Sequence, residues 1–115
     1  KEGLPTEAFD EVSVHDLPRR LAEESERLAV VDVREPMEWE MGHVPGAVLI
    51  SLEEVRSRLS ELDPSRPTFV ICEAGIRSCT AASILQAAGF SRVSNVPEGT
   101  GGYRNAGYPL QFPES

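Results

Sequence analysis

Apolar residues along this chain fall into short clusters of two kinds, set apart by polar, Gly- or Pro-bearing stretches. The first kind is a nearly unbroken run: Ala29-Val30-Val31-Asp32-Val33, Ala47-Val48-Leu49-Ile50 and Thr68-Phe69-Val70-Ile71. Continuity, as opposed to apolar/polar alternation, predicts strands covered on both faces. Val12-Ser13-Val14 and Arg92-Val93-Ser94-Asn95 read as two shorter strands. The second kind recurs at helical spacing: Leu17 and Leu21 behind a capping Asp16, and Ala81, Ile84, Leu85 and Ala88 ahead of Gly89. Leu52, Val55, Leu59 and Leu62 share this spacing, and Ser51 and Glu54 stand at capping-box distance in front of them. Glu35-Pro36 opens a short helix, Asp63 to Pro67 is a turn, and the Gly- and Pro-rich end holds a short helix near Tyr103. Strands alternating with helices predict one α/β domain with a mostly parallel sheet.

Composition narrows the partners more than the fold. The chain has 115 residues, which suits a single domain able to bury its own core. Nineteen acidic residues against 11 basic ones give a net charge of −8. That balance argues against nucleic acid and anionic membrane surfaces as partners. No apolar run approaches the ~20 residues of a membrane span, and no signal peptide is visible. Two cysteines, Cys72 and Cys79, are too few for a disulfide framework. Neither shows zinc-ligand spacing, so no metal and no cofactor is expected. The expected compartment is the cytoplasm. The chain begins at Lys1 and not at Met, which leaves open that it is a piece of a longer protein.

The chemistry concentrates at Cys72-Glu73-Ala74-Gly75-Ile76-Arg77. A buried strand delivers the cysteine, a short loop follows, and a helix starts near Arg77-Ser78. Ligands of α/β proteins bind at the carboxyl ends of parallel strands. Backbone N–H groups of the loop, with the unsatisfied amides and positive end of the next helix, form an anion nest there. Gly75 supplies the conformational freedom such a loop requires. A cysteine in that setting is a thiolate at lower pH than a free one, and hence a nucleophile. On the residues alone, an inert buried thiol remains open, and phosphoryl transfer fits the loop as well as sulfur transfer does.

Further blocks flank this loop: Val31-Asp32-Val33-Arg34-Glu35, Gly42-His43-Val44-Pro45-Gly46-Ala47, Gly99-Thr100-Gly101-Gly102 and Ala106-Gly107-Tyr108-Pro109. In this order they resemble the signature blocks of the rhodanese homology domain. The resemblance runs over residues 10–110, leaving 1–9 as a lead-in and 111–115 as a tail. It implies a five-stranded, mostly parallel sheet with helices on both faces. It implies a sulfurtransferase of the thiosulfate sulfurtransferase type: Cys72 takes a sulfane sulfur from a small anionic donor or a persulfide, and passes it to cyanide, a thiol or a protein acceptor. The six-residue loop from Cys72 through Arg77 is similar to that of the family's sulfurtransferases; related phosphatases and arsenate reductases have seven. A regulatory module, or a sulfur-relay domain of a larger protein, is the alternative.

The same resemblance sorts the neighbouring residues. Glu73, Ala74, Gly75, Ile76 and Arg77 form the anion-binding loop. Arg34 is matched to an arginine at the site entrance that helps bind an anionic donor. Thiosulfate-specialised members carry basic residues where this chain has Glu73 and Ala74, which points to a persulfide donor. Arg77 folds back onto the loop or an anion, or lies on the surface. Asp32 is expected to brace the loop, and His43 to satisfy backbone groups of its turn without serving as a base. Cys79 is a small packing residue or a resolving thiol, and Tyr103 packs the tail or lines the site mouth.

Overall fold

The computed structural model describes residues 9–24 and 26–113. Its strands are β1 (Asp10–Glu11), β2 (Ala29–Asp32), β3 (Val48–Leu49), β4 (Thr68–Ile71) and β5 (Val93–Asn95), and its α-helices are α1 (Leu17–Glu24), α2 (Pro36–Glu40), α3 (Ile76–Ala87) and α4 (Gly99–Asn105). The five strands form one sheet in the order β1-β5-β4-β2-β3, and every pairing is parallel. Central β4 is buried along its whole length, as its continuous apolar run requires.

Side chains alternate between the two faces of the sheet. Val31 and Val70 pack on one side with Ala81, Ala82 and Leu85 of α3. Val30, Phe69 and Ile71 pack on the other with Leu17 of α1 and Tyr103 of α4. Helices therefore cover both faces, and the two cores share β2 and β4. Tyr103 is a core residue, 2% exposed, with its ring against Tyr108.

Three local expectations are corrected. Val12–Val14 is not a strand: β1 is Asp10–Glu11, one more bond runs from Val12 N to Asn95 O at 2.9 Å, and the chain then turns. The Glu98 carboxylate captures that turn, accepting from Val14 N at 3.0 Å and from the Ser13 hydroxyl at 3.2 Å. The segment after Ser51 is not an α-helix but two 3-10 stretches, Leu52–Glu54 and Arg56–Glu61, broken by Arg58 at φ −115°. Ser51 does not cap it, because its hydroxyl donates to the buried Arg34 carbonyl at 2.9 Å. Residues 1–8 of the expected lead-in and 114–115 of the expected tail lie outside the described residues; Gln111 pairs with His43 as an antiparallel bridge.

The parallel register brings the carboxyl ends of β2, β4 and β5 together. Asp32 lies opposite Ile71, and Val70 opposite Asn95. Asp32, Cys72 and Asn95 thus sit side by side at one edge of the core, all of them buried.

Candidate active site at the carboxyl end of β4

Cys72 is the first residue beyond β4 and is 1% exposed. Its sulfur accepts the Gly75 N–H at 3.1 Å and lies 3.4 Å from the Ser78 hydroxyl. The loop doubles back on its own sulfur because Gly75 stands in the left-handed region, at φ +89°. A side chain at Gly75 would also run into the Pro97 carbonyl. Ser78 is in the first turn of α3, where backbone amides have no partner inside the helix.

Two opposed influences act on the Cys72 thiol. Burial pushes its pKa up. The Ser78 hydroxyl and the amides of Ser78, Ala74 and Gly75 donate to the thiolate and push it down further, so the net displacement is below an ordinary thiol. These donors are uncharged; the charge of Arg77 acts on Cys72 in addition.

Helix α4 holds the loop from behind. Thr100 N donates to the Cys72 carbonyl at 2.8 Å and Gly101 N to the Glu73 carbonyl at 3.0 Å. Gly99, at φ +67°, lies so close that any side chain would overlap the Cys72 and Glu73 backbone. The Asn95 amide lies 3.5 Å from the Gly75 carbonyl and 3.6 Å from the Cys79 sulfur.

Arg34, Arg77 and Glu73 are each held in ion pairs. Arg34 is fully buried. Its Nε and Nη2 bind the Asp32 carboxylate at 2.9–3.1 Å, its Nη2 also reaches the Gly42 carbonyl at 2.9 Å, and its Nη1 reaches Glu73 at 3.2 Å. Most of its donors go to internal partners, and its Nη1 faces a cleft through Glu73. Arg77 does not fold back over the loop but pairs with Glu38 of α2 through two 2.8 Å bonds. That fork holds the Glu38 carboxyl down at about 2. Glu73 turns away from the nest and bridges Arg34 to Arg104 of α4, the latter at 2.9 Å. Ala74 and Ile76 are exposed, and the Ala74 amide is among the donors to the sulfur. Asp32 lies where a brace for Arg34 must be. His43 stacks on Trp39, with ring centroids 3.5 Å apart, and its Nδ1 lies 3.2 Å from the Val44 carbonyl.

Sequence reasoning overlooked Ser78, Glu38, Asn95 and Arg104. Ser78 was within reach, since a hydroxyl in the first turn after a nest faces inward. The others are brought in by tertiary contacts that no local pattern announces. Among the described residues no cluster of potential metal ligands occurs.

The fold and this site define an α/β domain whose central strand ends in a buried cysteine held by backbone donors. The family model for the rhodanese-like domain matches residues 13–106, and the chain belongs to that family. It is 31% identical over 105 residues to a sulfurtransferase of Allochromatium vinosum, covering 91% of this chain and 97% of that protein. It is 38% identical over 92 residues to the putative sulfur carrier protein YrkF of Bacillus subtilis, covering 80% of this chain. Only 49% of YrkF is spanned, so this chain matches about half of that relative. Among solved structures, a rhodanese-related protein from Thermoplasma volcanium superposes with a TM-score of 0.79 at 28% identity, covering 91% of this chain and all of that one.

Proposed function

We propose that this chain is a sulfurtransferase that carries sulfur as a persulfide on Cys72. The observation that carries the reading is the Cys72 sulfur itself, which receives the Gly75 amide and faces the Ser78 hydroxyl at the end of β4. The thiolate attacks the outer, sulfane sulfur of a donor. A new S–S bond forms to Cys72 while the donor's own bond to that sulfur breaks, its electron pair leaving as sulfite or a thiolate. The terminal sulfur of the resulting Cys72 persulfide is then taken by a thiophilic acceptor such as cyanide, a thiol or a carrier protein. The loop donors lower the energy of sulfur-borne negative charge both before and after transfer. Arg34, Asp32 and His43 support the loop's surroundings in this scheme, and Ala74, Gly75 and Ile76 contribute backbone.

Intact mass after exposure to thiosulfate or a small persulfide tests it. Wild type gains one sulfur atom, and Cys72→Ser does not. No gain with any sulfane donor would sink the proposal. A second reading, a sulfur-relay segment within a longer protein, draws on the match to half of a protein named as a sulfur carrier. It shares the Cys72 chemistry and differs in requiring a protein acceptor.

A further inference from the structure

Five large apolar side chains stand exposed among the described residues: Met37, Met41, Val48, Ile76 and Phe112. All but Val48 fall in one band. Met37 and Met41 are four apart, on one face of α2 and its C-cap. Glu38 between them forks onto Arg77, the neighbour of Ile76, through two 2.8 Å bonds. His43 and Gln111 exchange two backbone bonds of 2.8 Å, which brings Phe112 beside Gly42, the residue after Met41. A β-carbon at Gly42 would lie 3.1 Å from the Phe112 ring. The band borders the nucleophile's loop, since Ile76 follows Gly75, whose amide donates to the Cys72 sulfur. Met41 also walls a cleft of about 480 Å³ that Arg34, Glu38, Glu73 and Arg104 complete.

Single exposed apolar residues are ordinary, whereas a row of them marks a contact surface. These four are 61–83% exposed, and methionine and aromatic side chains are the kinds that protein interfaces concentrate. Charge decides the occupant. The guanidiniums of Arg34, Arg77 and Arg104 are matched by the carboxylates of Asp32, Glu38 and Glu73. Glu35 and Glu40, at the two ends of α2, are exposed and form no ion pair among the described residues. The band is therefore apolar with a negative rim. A second copy docked across a twofold axis would set those carboxylates against themselves. A cationic partner is attracted.

We propose that Met37, Met41, Ile76 and Phe112 form the docking face for a protein sulfur acceptor whose thiol lies in an apolar segment bordered by lysine or arginine. The inference rests on the persulfide reading above and deepens it by naming the partner at that site. The acceptor thiolate attacks the terminal sulfur of the Cys72 persulfide. Its S–S bond forms as the bond to Cys72 breaks, and the Cys72 sulfur keeps the electron pair as a thiolate that the loop amides receive. Seating the acceptor on the band supplies proximity for this step, and the acidic rim speeds encounter in a salt-dependent way. A small thiol gains neither.

The probes are three synthetic peptides with one cysteine between leucines, bordered by lysines in the first, glutamates in the second and glutamines in the third. Free cysteine is the reference. The chain is loaded with cysteine persulfide and freed of donor, and the sulfur gained by each thiol is followed by mass at equal thiolate concentration. The lysine peptide is expected to take sulfur at least about tenfold faster than cysteine, with the glutamine peptide between them and the glutamate peptide no faster than cysteine. Met37→Gln/Met41→Gln should cut the lysine peptide's advantage at least about fivefold, and Glu40→Gln about twofold at low salt. Val48→Gln, outside the band, should keep it within about twofold. An advantage untouched by the methionine substitutions, shared by the glutamate peptide or lost equally in Val48→Gln overturns the assignment. So does a wild-type dimer that Met37→Gln/Met41→Gln dissolves, which would give the face to a second copy. If Cys72 takes no sulfur from the donor, the persulfide reading itself fails. If the loaded chain serves cysteine and the lysine peptide alike, only the docking face does.

Discussion

Removing the Ser78 hydroxyl isolates how the Cys72 thiolate is stabilised. The Ser78 oxygen is 3.4 Å from the sulfur, and the Gly75 amide at 3.1 Å stays in place when the side chain is cut back to alanine. A hydrogen bond to a charged acceptor is worth about 1.5–3 kcal/mol. The lower figure suits this contact because the neighbouring amides take up part of the charge. At about 1.4 kcal/mol per factor of ten, Ser78→Ala lowers the thiolate-to-thiol ratio about tenfold at any pH below the midpoint. The remaining thiolate is more basic and therefore more nucleophilic, by about threefold for a Brønsted slope of ~0.4–0.5. The two effects oppose each other at low pH and only the second survives at high pH. Ser78→Ala should react about threefold more slowly than its parent below the midpoint and about threefold faster on the alkaline plateau.

Crossing pH–rate curves are a signature that altered access to the sulfur does not produce. The assay is release of chromophore from a small neutral disulfide, in a Cys79→Ala background so that Cys72 is the sole thiol. Ser78 is fully buried, so circular dichroism and the thermal midpoint confirm the fold first. Identical profiles would show that the hydroxyl does not stabilise the thiolate. Parallel curves, lowered at every pH, would mean that Ser78 shapes the opening and not the charge.

Other consequences are more direct. Asp32→Asn leaves the buried Arg34 with Glu73 as its only carboxylate, and urea titration should show a loss of about 3 kcal/mol; a loss under about 1 kcal/mol would mean that the pair is dispensable. Glu38, held at about 2 in the fold against 4.5 ordinarily, stabilises fully above pH 4.5 and loses that contribution as pH falls toward 2. The stability gap between wild type and Glu38→Gln should therefore close across that window, and a gap constant down to pH 2 would contradict the Arg77 fork. Gly99→Ala forces a β-carbon into the Cys72–Glu73 backbone at a positive φ; destabilisation of about 2 kcal/mol or more is expected, seen as a thermal midpoint lower by roughly 6 °C, and an unchanged midpoint would refute the close approach. His43→Gln should leave the pH dependence of Cys72 loading with the same single ionisation as wild type, since His43 is stacked on Trp39; an ionisation that disappears with the imidazole would make it a base.

What was legible in the sequence depended on range. Thr68–Ile71 and Ala29–Asp32 are short and nearly all apolar, as doubly covered strands are, so both were readable. The anion nest was readable too, because its parts are contiguous and Gly75 marks the turn. Leu52, Val55, Leu59 and Leu62 showed a helical period, yet only Val55 is fully buried. With so little to bury, a broken 3-10 path satisfies the same spacing, and Arg58 is held at the break by Glu54 and Glu61. The arginines were visible as cations but not as pairs. Arg34 meets Glu73 and Arg77 meets Glu38 across 39 residues each, and several acidic residues could have competed for either. Choosing among them required the β2–β4 register and the placement of α2 beside the start of α3.

That division bears on the chemistry. The groups that most favour the Cys72 thiolate are local and uncharged: amides of the loop and a hydroxyl in the first turn of α3. They favour negative charge on sulfur without recruiting any other anion. The features that would recruit an anion are the guanidiniums, of which Arg34 and Arg104 are distant in sequence, and all are neutralised by carboxylates of the same chain. Stabilisation of the Cys72 thiolate and attraction of a charged donor therefore rest mainly on different residues in this fold. Position 73 touches the second and not the first, because its side chain leaves the nest while its backbone stays in it, held by Gly101. A change at Glu73 should alter which donor reaches the sulfur without altering what the sulfur is. A change at Ser78 should do the reverse. A chain in which both substitutions shifted the thiolate alike would have a single electrostatic site, and the separation drawn from the pairing of Arg34, Arg77 and Arg104 would not hold.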